Sequence, residues 1–389
     1  MNGLLASACI KVNNRDAQDA KNALIKAGLL DPDRDPMHEG DSILFPVQDG
    51  TVTTLVKIMR CPFETIDGAC PASRKKRRGN LVDLLARELP DELAEYAPRA
   101  FNIIGTIAVL EIDEQLAPFK EAIARAIREI HPHLTSIFSK QSERAGDFRT
   151  SQLGLLWGDG NPVTTHAENG CRFLVDVKET FFDPRLVHEH DRVVKAIVSG
   201  VNGNTCNVLD LFCGVGPFVI PLAKDPLARV WAVDLNARAI ELLGTNIGTN
   251  HVDPARVYAH AMDARLFLER NDLDGGACPR AFDAIILNLP RAAHEFLAAC
   301  KPRTMKGTRL FWYTIARDFF DGKEMPGDAP DAIQERIRGL TRDDDTNPVS
   351  KVCMDGLGIV KALGLVITRI TRVKPFSPYK FTYCFELVA

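Results

Sequence analysis

The sequence predicts an α/β protein in which smaller α/β modules precede a doubly wound, mostly parallel sheet. After residue 191, an apolar run, a turn and a helical pattern recur at intervals of roughly 25 residues, which is the βαβ rhythm of a parallel sheet. The chain ends differently, because LGLVITRITRVKPFSPYKFTYCFELVA reads as two strands around a Pro-rich turn and favours an antiparallel edge. Five segments carry the repeat: NTCNVLDLFCGVGPFVIPLAK, ARVWAVDLNARAIELLGTNIGTN, RVYAHAMDARLFLER, FDAIILNLPRAAHEFLAACK and GTRLFWYTIARDF.

The segments before and after this repeat are assigned by their periodicity. Residues 1–80 predict a small N-terminal module, with apolar runs such as SILFPV and TVTTLVKIM around a helix-like DAQDAKNALIKAGLL. Residues 81–190 predict an α/β substrate-binding and linker domain. There, NLVDLLARELPDELAEYA reads as helical, FNIIGTIAVLEI as a strand with a Gly break, and KEAIARAIREIHPHL as an amphipathic helix. Residues 191–389 form the sheet domain, in which the polar stretch 321–351 predicts a loop before a last helix.

Composition limits the function classes. The 48 Lys and Arg against 51 Asp and Glu give a net charge of −3, so a nucleic-acid partner must meet a local basic patch. The run SRKKRRGN at 73–80 is either a solvated linker or an RNA-contacting or nuclear-targeting segment. The ten cysteines lack CxxC spacing, which predicts mostly buried, reduced thiols and no zinc site. No apolar window predicts a membrane span, and we expect a cytoplasmic or nuclear protein, with the mitochondrial matrix as a further option.

The first strand of the sheet domain ends in an acid and a glycine turn. In VLDLFCGVGPF, Asp210 precedes Phe212 and the closely spaced Gly214 and Gly216. Cofactors bind at the carboxyl end of this strand in open α/β sheets, and glycines let the backbone approach them. The dinucleotide-binding fingerprint GxGxxG is incomplete, because Pro217 and Phe218 follow the second glycine. This argues against the alternative that the protein is a nicotinamide-dependent dehydrogenase. The motif instead resembles motif one of class I S-adenosylmethionine-dependent methyltransferases.

Acids also end the next two strands. Asp234 can accept both hydroxyls of a ribose, although it could also cap the helix that follows. Leu235 would then pack on adenine, with Asn236 beside it. Asp263, followed by Ala264, is positioned to accept from the adenine exocyclic amine. Three acids at three successive strand ends favour a nucleoside-bearing cofactor.

The fourth strand ends in Asn-Leu-Pro. In this fold that position faces the transferred methyl group, so Asn288 with the rigid Pro290 behind it can offer an amide and a backbone carbonyl to a nucleobase edge. Enzymes that methylate exocyclic amines of bases often carry an aromatic after this motif. Here Arg291 stands in its place, which argues against adenine-N6 methylation.

Together, VLDLFCGVGPFVIPLAK, AVDLNARAIELLGTNIGTN and LNLPRAAHEFL resemble the tRNA guanine-37 N1-methyltransferase family of archaea and eukaryotes. The region before them also resembles the family through its H-x-E-x-G-C-R-F and R-L-x-x-E signatures. The similarity extends from about Asn102 to the C-terminus and is faint before it. The resemblance implies a class I fold, S-adenosylmethionine as the cofactor, and methylation of N1 of guanosine-37 in tRNA.

Guanine N1 carries a proton at neutral pH, so the reaction needs a base at N1 and a cation near O6. The resemblance assigns the base to Glu189 and the cation to Arg149. It also places His190, where many relatives carry Arg, near the cofactor's carboxylate. Three further residues, His166, Glu168 and Arg172, predict a structural polar cluster.

The implied partner is tRNA, bound through its anticodon loop and outer body. In the family the N-terminal module checks tRNA shape, and the protein is expected to be a monomer. Two alternatives remain open: aminocarboxypropyl transfer to a tRNA guanosine derivative in wybutosine synthesis, and a non-catalytic RNA-binding protein with a methyltransferase shell. Candidate RNA-contacting residues are Lys75, Lys76, Arg77, Arg78, Arg372, Lys374, Tyr379 and Lys380.

Overall fold

A computed structural model gives the fold, and its chain divides into two compact units. Unit 1 comprises Met1–Arg99 and Ile112–His133, and unit 2 comprises Ala100–Glu111 and Leu134–Ala389. The structure describes residues 8–31, 33–47, 61–67, 70–71, 81–86, 88–98, 100–141, 152–200, 203–270, 272–319, 322–339, 348–377 and 380–389. The predicted Arg149, the basic run 73–80, the apolar run 51–59 and Tyr379 lie outside these ranges.

Unit 1 contains a four-stranded antiparallel sheet in the order β2-β3-β1-β4. Its core forms because Ile10 and Val12, two residues apart on β1, face the same side of the sheet and pack with Leu24 of the segment predicted as helix-like. The helical pattern after residue 80 is interrupted at Pro90, so its second half is a 3-10 helix at Asp91–Tyr96. The elements are β1 (Ala8–Asn13), β2 (Met37–Glu39), β3 (Ser42–Pro46), β4 (Glu64–Asp67), α1 (Ala17–Lys26), α2 (Leu81–Leu85) and α3 (Lys120–Ile130).

Unit 2 begins with a four-stranded sheet in the order β5-β6-β7-β8 and a β9-β10 hairpin. The predicted strand with a Gly break is two antiparallel strands, because Gly105 turns the chain at a φ of +54°. A Cβ on Gly105 would lie 2.4 Å from the carbonyl oxygen of Thr165, so only glycine fits. The strands are β5 (Phe101–Ile104), β6 (Ile107–Leu110), β7 (Ser136–Lys140), β8 (Leu153–Gly158), β9 (Val163–Glu168) and β10 (Cys171–Asp176).

The largest sheet of unit 2 has the order β13-β12-β11-β14-β15-β18-β17-β16. Its first five strands are parallel, which confirms the predicted doubly wound sheet, and β18, β17 and β16 are antiparallel. Strand order reverses between β11 and β14, where the carboxyl ends form a crevice. The strands are β11 (Cys206–Asp210), β12 (Ala228–Asp234), β13 (Val257–Ala261), β14 (Ala284–Leu287), β15 (Arg309–Arg317), β16 (Glu324–Pro326), β17 (Val366–Ser377) and β18 (Lys380–Val388).

Both faces of this sheet are covered. Alternate residues along β11 illustrate why: Val208 joins the core cluster on one face and Leu209 the cluster on the other. The two C-terminal strands are antiparallel as predicted, but the outermost strand is the short β16. The polar stretch predicted as a loop contains β16 and α9. The helices are α4 (Val187–Ser199), α5 (Val219–Ala223), α6 (Ala237–Thr249), α7 (Ala264–Glu269), α8 (Leu297–Cys300), α9 (Pro330–Gly339) and α10 (Pro348–Ala362).

Two sequence expectations concern cysteines and membranes. Nine of the ten cysteines are buried, which confirms their predicted burial. Within the described ranges, none of the helices has the length and apolar character needed to cross a bilayer.

Candidate active site

Asp210 ends β11 and is fully buried. Its Oδ1 accepts a hydrogen bond from the backbone N–H of Phe212 at 3.3 Å, whereas Oδ2 has no partner among the described residues. Burial raises the pKa of Asp210 to about 8, and the negative charge of nearby Asp234 adds to this shift. The sheet therefore presents a carboxyl group that gains from a cationic ligand.

The glycine turn after Asp210 has two different functions. Gly214 and Gly216 both have positive φ values, +54° and +93°. A Cβ on Gly216 would lie 2.5 Å from Cδ1 of Leu243 on α6, so this glycine permits close helix packing. A Cβ on Gly214 would meet nothing nearer than the carbonyl oxygen of Phe181 at 3.8 Å, so this glycine borders open space that a ligand could fill.

Asp234, at the end of β12, connects this turn to the neighbouring strand. Its Oδ2 accepts from the N–H of Gly214 at 2.8 Å, and its Oδ1 accepts from the N–H of Asn236 at 2.9 Å. Burial raises the pKa of Asp234, against the opposing effect of these two bonds. The cap of α6 is Asn236, whose Oδ1 accepts from the N–H of Arg238 at 3.0 Å. Leu235 beside it is 45% exposed, available to cover a ligand.

The polar side chains at the third and fourth strand ends, Asp263 and Asn288, differ in their hydrogen bonding. Asp263 caps α7 by accepting from the N–H of Arg265 at 2.6 Å, with Ala264 buried behind it. Asn288 is half-buried, and its side-chain amide makes no hydrogen bond with any residue the structure describes. The carbonyl of Leu289 accepts from two backbone N–H groups, at 2.7 and 2.8 Å, so the turn that contains Pro290 is closed. The free amide at this rigid turn can bind a planar polar ligand.

Glu189 lies in the first turn of α4 and is only 6% exposed. Its Oε1 accepts from the hydroxyl of Tyr313 at 2.7 Å. The guanidinium of Arg192 forms two bonds of 2.8 Å with the same carboxylate, one to each oxygen. Leu287, the last residue of β14, pairs with Trp312 of β15, and Tyr313 directly follows Trp312. Tyr313 thus connects the Glu189 carboxylate to the strand next to the one that leads into the Asn-Leu-Pro turn.

A charged network behind Glu189 was missed by the sequence reasoning. Glu386 on β18 binds Arg192 through Oε1 and Arg309 through Oε2, the latter at 3.1 Å. Two signals could have indicated it. Arg192 follows Glu189 by three residues on one helix, and Glu386 is a single acid within the apolar strand YCFELV. Glu386 thus fixes the position of the Arg192 guanidinium, which in turn binds the Glu189 carboxylate.

His190, which was predicted to lie near the cofactor's carboxylate, contacts Glu168 of the predicted polar cluster. Its Nδ1 lies 2.7 Å from Oε1 of Glu168, both residues are buried, and its ring packs edge-on against Phe218. Nε2 of His166 lies 3.8 Å from the other oxygen of Glu168, and burial lowers the pKa of His166. The cluster therefore joins His166, Glu168 and His190, whereas Arg172 is exposed on β10.

Asp183 pairs with Arg185 two residues later in the chain. The guanidinium donates to both carboxylate oxygens, at 2.9 and 2.8 Å, and Lys374 from β17 binds Oδ2 as well. Burial opposes ionisation of Asp183, but the bonds and charges of the two cations hold its pKa below its ordinary value. Lys374 therefore fixes β17 to the turn that leads into α4, a function other than the RNA contact considered for it.

Comparison with known proteins identifies relatives. The chain is 35% identical over 288 residues to tRNA (guanine(37)-N(1))-methyltransferase Trm5b of Pyrococcus abyssi, covering 74% of this chain and 78% of the relative. It is 29% identical to the Trm5b of Methanocaldococcus jannaschii, covering 80% and 87%. The crystal structure of Pyrococcus abyssi Trm5b superposes with a TM-score of 0.61 at 28% identity, covering 98% of this chain and 99% of that one.

The glycine turn at the switch point and the acids on three adjacent parallel strands define a class I S-adenosylmethionine-dependent methyltransferase. Family models match residues 164–325 as a TRM5/TYW2 methyltransferase domain, 81–161 as a TYW2 N-terminal domain and 9–53 as a tRNA methyltransferase 5 N-terminal domain. The chain belongs to the tRNA (guanine(37)-N(1))-methyltransferase family, as its motifs predicted.

Proposed function

We propose that this chain transfers the methyl group of S-adenosylmethionine to N1 of guanosine-37 in tRNA, next to the anticodon. The names of its relatives support the reaction and the nucleotide. The single observation that carries the chemistry is the buried carboxylate of Glu189, which accepts a hydrogen bond from Tyr313 on the strand next to the one that leads into Asn288. A base that removes a proton from a ring nitrogen must be oriented, and this carboxylate is held by hydrogen bonds in a fixed position.

Glu189 acts as the general base in this proposal. Arg192 orients the carboxylate through two charge-assisted hydrogen bonds, one to each oxygen. Tyr313 remains a donor, since burial, with the nearby Cys384 and Glu189, raises its pKa well above the ordinary value. The three bonds leave Glu189 with further lone-pair capacity to accept the N1 proton as the nitrogen attacks the methyl group.

The residues at the first three strand ends fit the cofactor. The unpaired Oδ2 of Asp210 suits an ammonium group, and the open space at Gly214 admits a ligand against the backbone. Asp234 can accept ribose hydroxyls, because each of its oxygens keeps a lone pair besides its backbone bond. When bound, S-adenosylmethionine supplies an electrophilic methyl group. The remaining residues assigned to its binding are Phe212, Gly216, Leu235, Asn236, Asp263, Ala264, His190 and Asn288.

The target base is oriented by the fourth strand end. Asn288 offers its free amide to the guanine edge, and Pro290 keeps the turn rigid. Arg149, which lies outside the described residues, is assigned to O6, where it would stabilise the negative charge that develops as N1 loses its proton. Guanosine-37 must leave its stack to reach these groups, which is comparatively cheap in a single-stranded loop.

Binding of the rest of the tRNA is assigned to unit 1 and to local basic residues. The match of residues 9–53 to the tRNA methyltransferase 5 N-terminal domain supports a role in recognising the outer body of tRNA. The chain as a whole has a net charge of −3, so the basic run at 73–80 is the local source of positive charge for binding phosphates. We propose a monomer as the active species.

Aminocarboxypropyl transfer is a second candidate, because residues 81–161 match the TYW2 N-terminal domain. The two reactions draw different atoms from the same cofactor. S-adenosylmethionine labelled in its methyl group and, separately, in its carboxyl group therefore distinguishes them. Each form is supplied to a transcript with guanosine at position 37, to one with adenosine there, and to tRNA that carries the guanosine derivative of wybutosine synthesis at that position. Methyl label in the guanosine transcript alone supports N1 methylation, and carboxyl label in RNA supports the alternative.

The base assignment is tested with Glu189→Gln. We expect a loss of single-turnover methylation of about 100-fold or more, within the range of general-base catalysis. Glu269→Gln, at an exposed position on α7, is the matched control and should retain wild-type rate. Cofactor affinity and unfolding are measured in both variants. If Glu189→Gln binds cofactor, folds normally and retains the wild-type rate, another group removes the N1 proton.

A further inference from the structure

Arg291 stacks on Phe376 beside the candidate site. The guanidinium carbon lies 5.3 Å from the ring centroid, Arg291 is exposed, and Phe376 is 39% exposed. Arg291 directly follows Pro290, at the position where the sequence lacks the aromatic common in exocyclic-amine methyltransferases. The Arg291–Phe376 stack is therefore a flat cation–aromatic surface at the Asn-Leu-Pro turn.

This stack differs from other exposed cation–aromatic pairs of the structure. Arg265 lies over Phe296 at 4.4 Å, but its guanidinium is neutralised by Glu295 at 2.7 Å. The guanidinium of Arg291, in contrast, forms neither a hydrogen bond nor an ion pair with any residue in the described ranges. Its donors remain available to an anion, and no acid in the described part of the chain pairs with them.

The position of Phe376 relates the stack to the base-binding side of the site. Lys374, two residues earlier on β17, binds Asp183, and Asp183 caps the turn that leads into the helix of Glu189. Arg291 comes from the turn that carries Asn288. The stack thus joins the turn that carries Asn288 to β17, the strand that Lys374 connects to the turn before the Glu189 helix.

We propose that the Arg291–Phe376 stack receives the base that flanks the target guanosine, while the Arg291 guanidinium binds the adjoining phosphate. When guanosine-37 is flipped out, its neighbour loses a stacking partner, and an exposed aromatic ring with a guanidinium replaces that partner. The unpaired charge suits a phosphate, and the flat surface suits any base, so recognition here is tolerant of sequence. This inference rests on the proposed function, because it identifies how the same site holds its RNA.

The first test measures binding of an anticodon stem-loop, without methyl transfer, to wild type and to Phe376→Leu, which keeps an apolar side chain and removes the ring. We expect roughly 5- to 100-fold weaker binding for Phe376→Leu, the effect of losing one stacked base. A second stem-loop lacks the base on one side of guanosine-37, and a third lacks it on the other side. Wild type should bind one of these abasic RNAs about as weakly as Phe376→Leu binds the intact stem-loop. Phe376→Leu itself should bind that abasic RNA and the intact stem-loop with equal affinity.

The second test concerns the cation. Arg291→Ala should lower the dependence of log Kd on log salt by about 1, the value for one lost phosphate contact. Arg369→Ala is the matched control. Arg369 is exposed on β17, the strand of Phe376, but its guanidinium pairs with Glu324 at 3.2 Å. Arg369→Ala should leave the salt dependence unchanged. Equal effects of the two alanine variants would indicate a general charge effect and overturn the assignment of a phosphate contact to Arg291.

The outcomes separate this inference from the proposed function. Unchanged stem-loop binding by Phe376→Leu, in an enzyme that methylates guanosine-37, overturns the stacking platform and leaves the function intact. A wild-type protein that binds the stem-loop through Phe376 but does not methylate full-length tRNA contradicts the function and keeps the RNA contact. A wild-type protein that methylates full-length tRNA but does not bind the stem-loop overturns the stacking platform alone, and one that binds neither RNA overturns both. Cofactor affinity, which should match wild type in every variant, shows that the site is folded.

Discussion

Asp210 makes the stability of unit 2 depend on pH in a defined direction. Burial raises its pKa to about 8 from an ordinary value of 3.8. Between these values the folded protein keeps a proton that the unfolded chain releases. A group of this kind contributes its full stability below the unfolded pKa and loses it as pH rises toward the folded pKa. The free energy of unfolding should therefore fall as pH increases through this interval.

The magnitude of the effect follows from one proton. Between about pH 5 and pH 7, a one-proton difference lowers the free energy of unfolding by about 1.4 kcal/mol per pH unit. Asp210→Asn removes this contribution, since an amide does not titrate. The difference between wild type and variant should therefore change by about 3 kcal/mol across those two pH units. Burial also raises the pKa of Asp234. Its effect on the pH dependence of unfolding has the same sign in wild type and in Asp210→Asn, so it largely cancels in the comparison.

Urea unfolding of the cofactor-free protein at several pH values measures this difference. The three tryptophans, Trp157, Trp231 and Trp312, all belong to unit 2, so their fluorescence reports on that unit. Asp253→Asn, at an exposed position, controls for removal of an aspartate. A difference between wild type and Asp210→Asn that stays constant across the pH range would refute the reasoning, because it would show that Asp210 does not hold a proton in the folded state.

Three further substitutions test the packing of the site. Gly216→Ala should lower the free energy of unfolding by about 1–3 kcal/mol, because its Cβ would lie 2.5 Å from Leu243; unchanged urea unfolding would contradict this. Asn236→Ala removes the cap of α6 and should cost about 1 kcal/mol; calorimetric titration should also show weaker cofactor binding. Arg303→Met leaves buried carbonyls without their donor and should cost about 3 kcal/mol in urea unfolding, with cofactor affinity as the measurement that must stay constant.

The strand ends were predictable because they depend on local pattern. Apolar runs that end in Asp210, Asp234 and Asn288 fix both the strands and the edge at which these residues meet. The pairing of Glu189 with Tyr313 was not predictable, since 124 residues separate them and no spacing rule relates a helix start to the middle of a distant strand. β16 and α9 were missed for another reason. Their polar sequence carries no apolar period, and their position comes from pairing with β17 and packing with α10.

The path of the chain limits how the enzyme can be divided. Residues 112–133 belong to unit 1, yet they lie in the sequence between β6 and β7, two adjacent parallel strands of unit 2. A protein shortened to begin at residue 134 would lose β5 and β6 and expose the edge of β7, which invites aggregation. A protein ended at residue 99 would lack α3. Neither unit can be obtained by a single cut, so a deletion that removes unit 1 as a whole and keeps unit 2 intact requires cuts at two points.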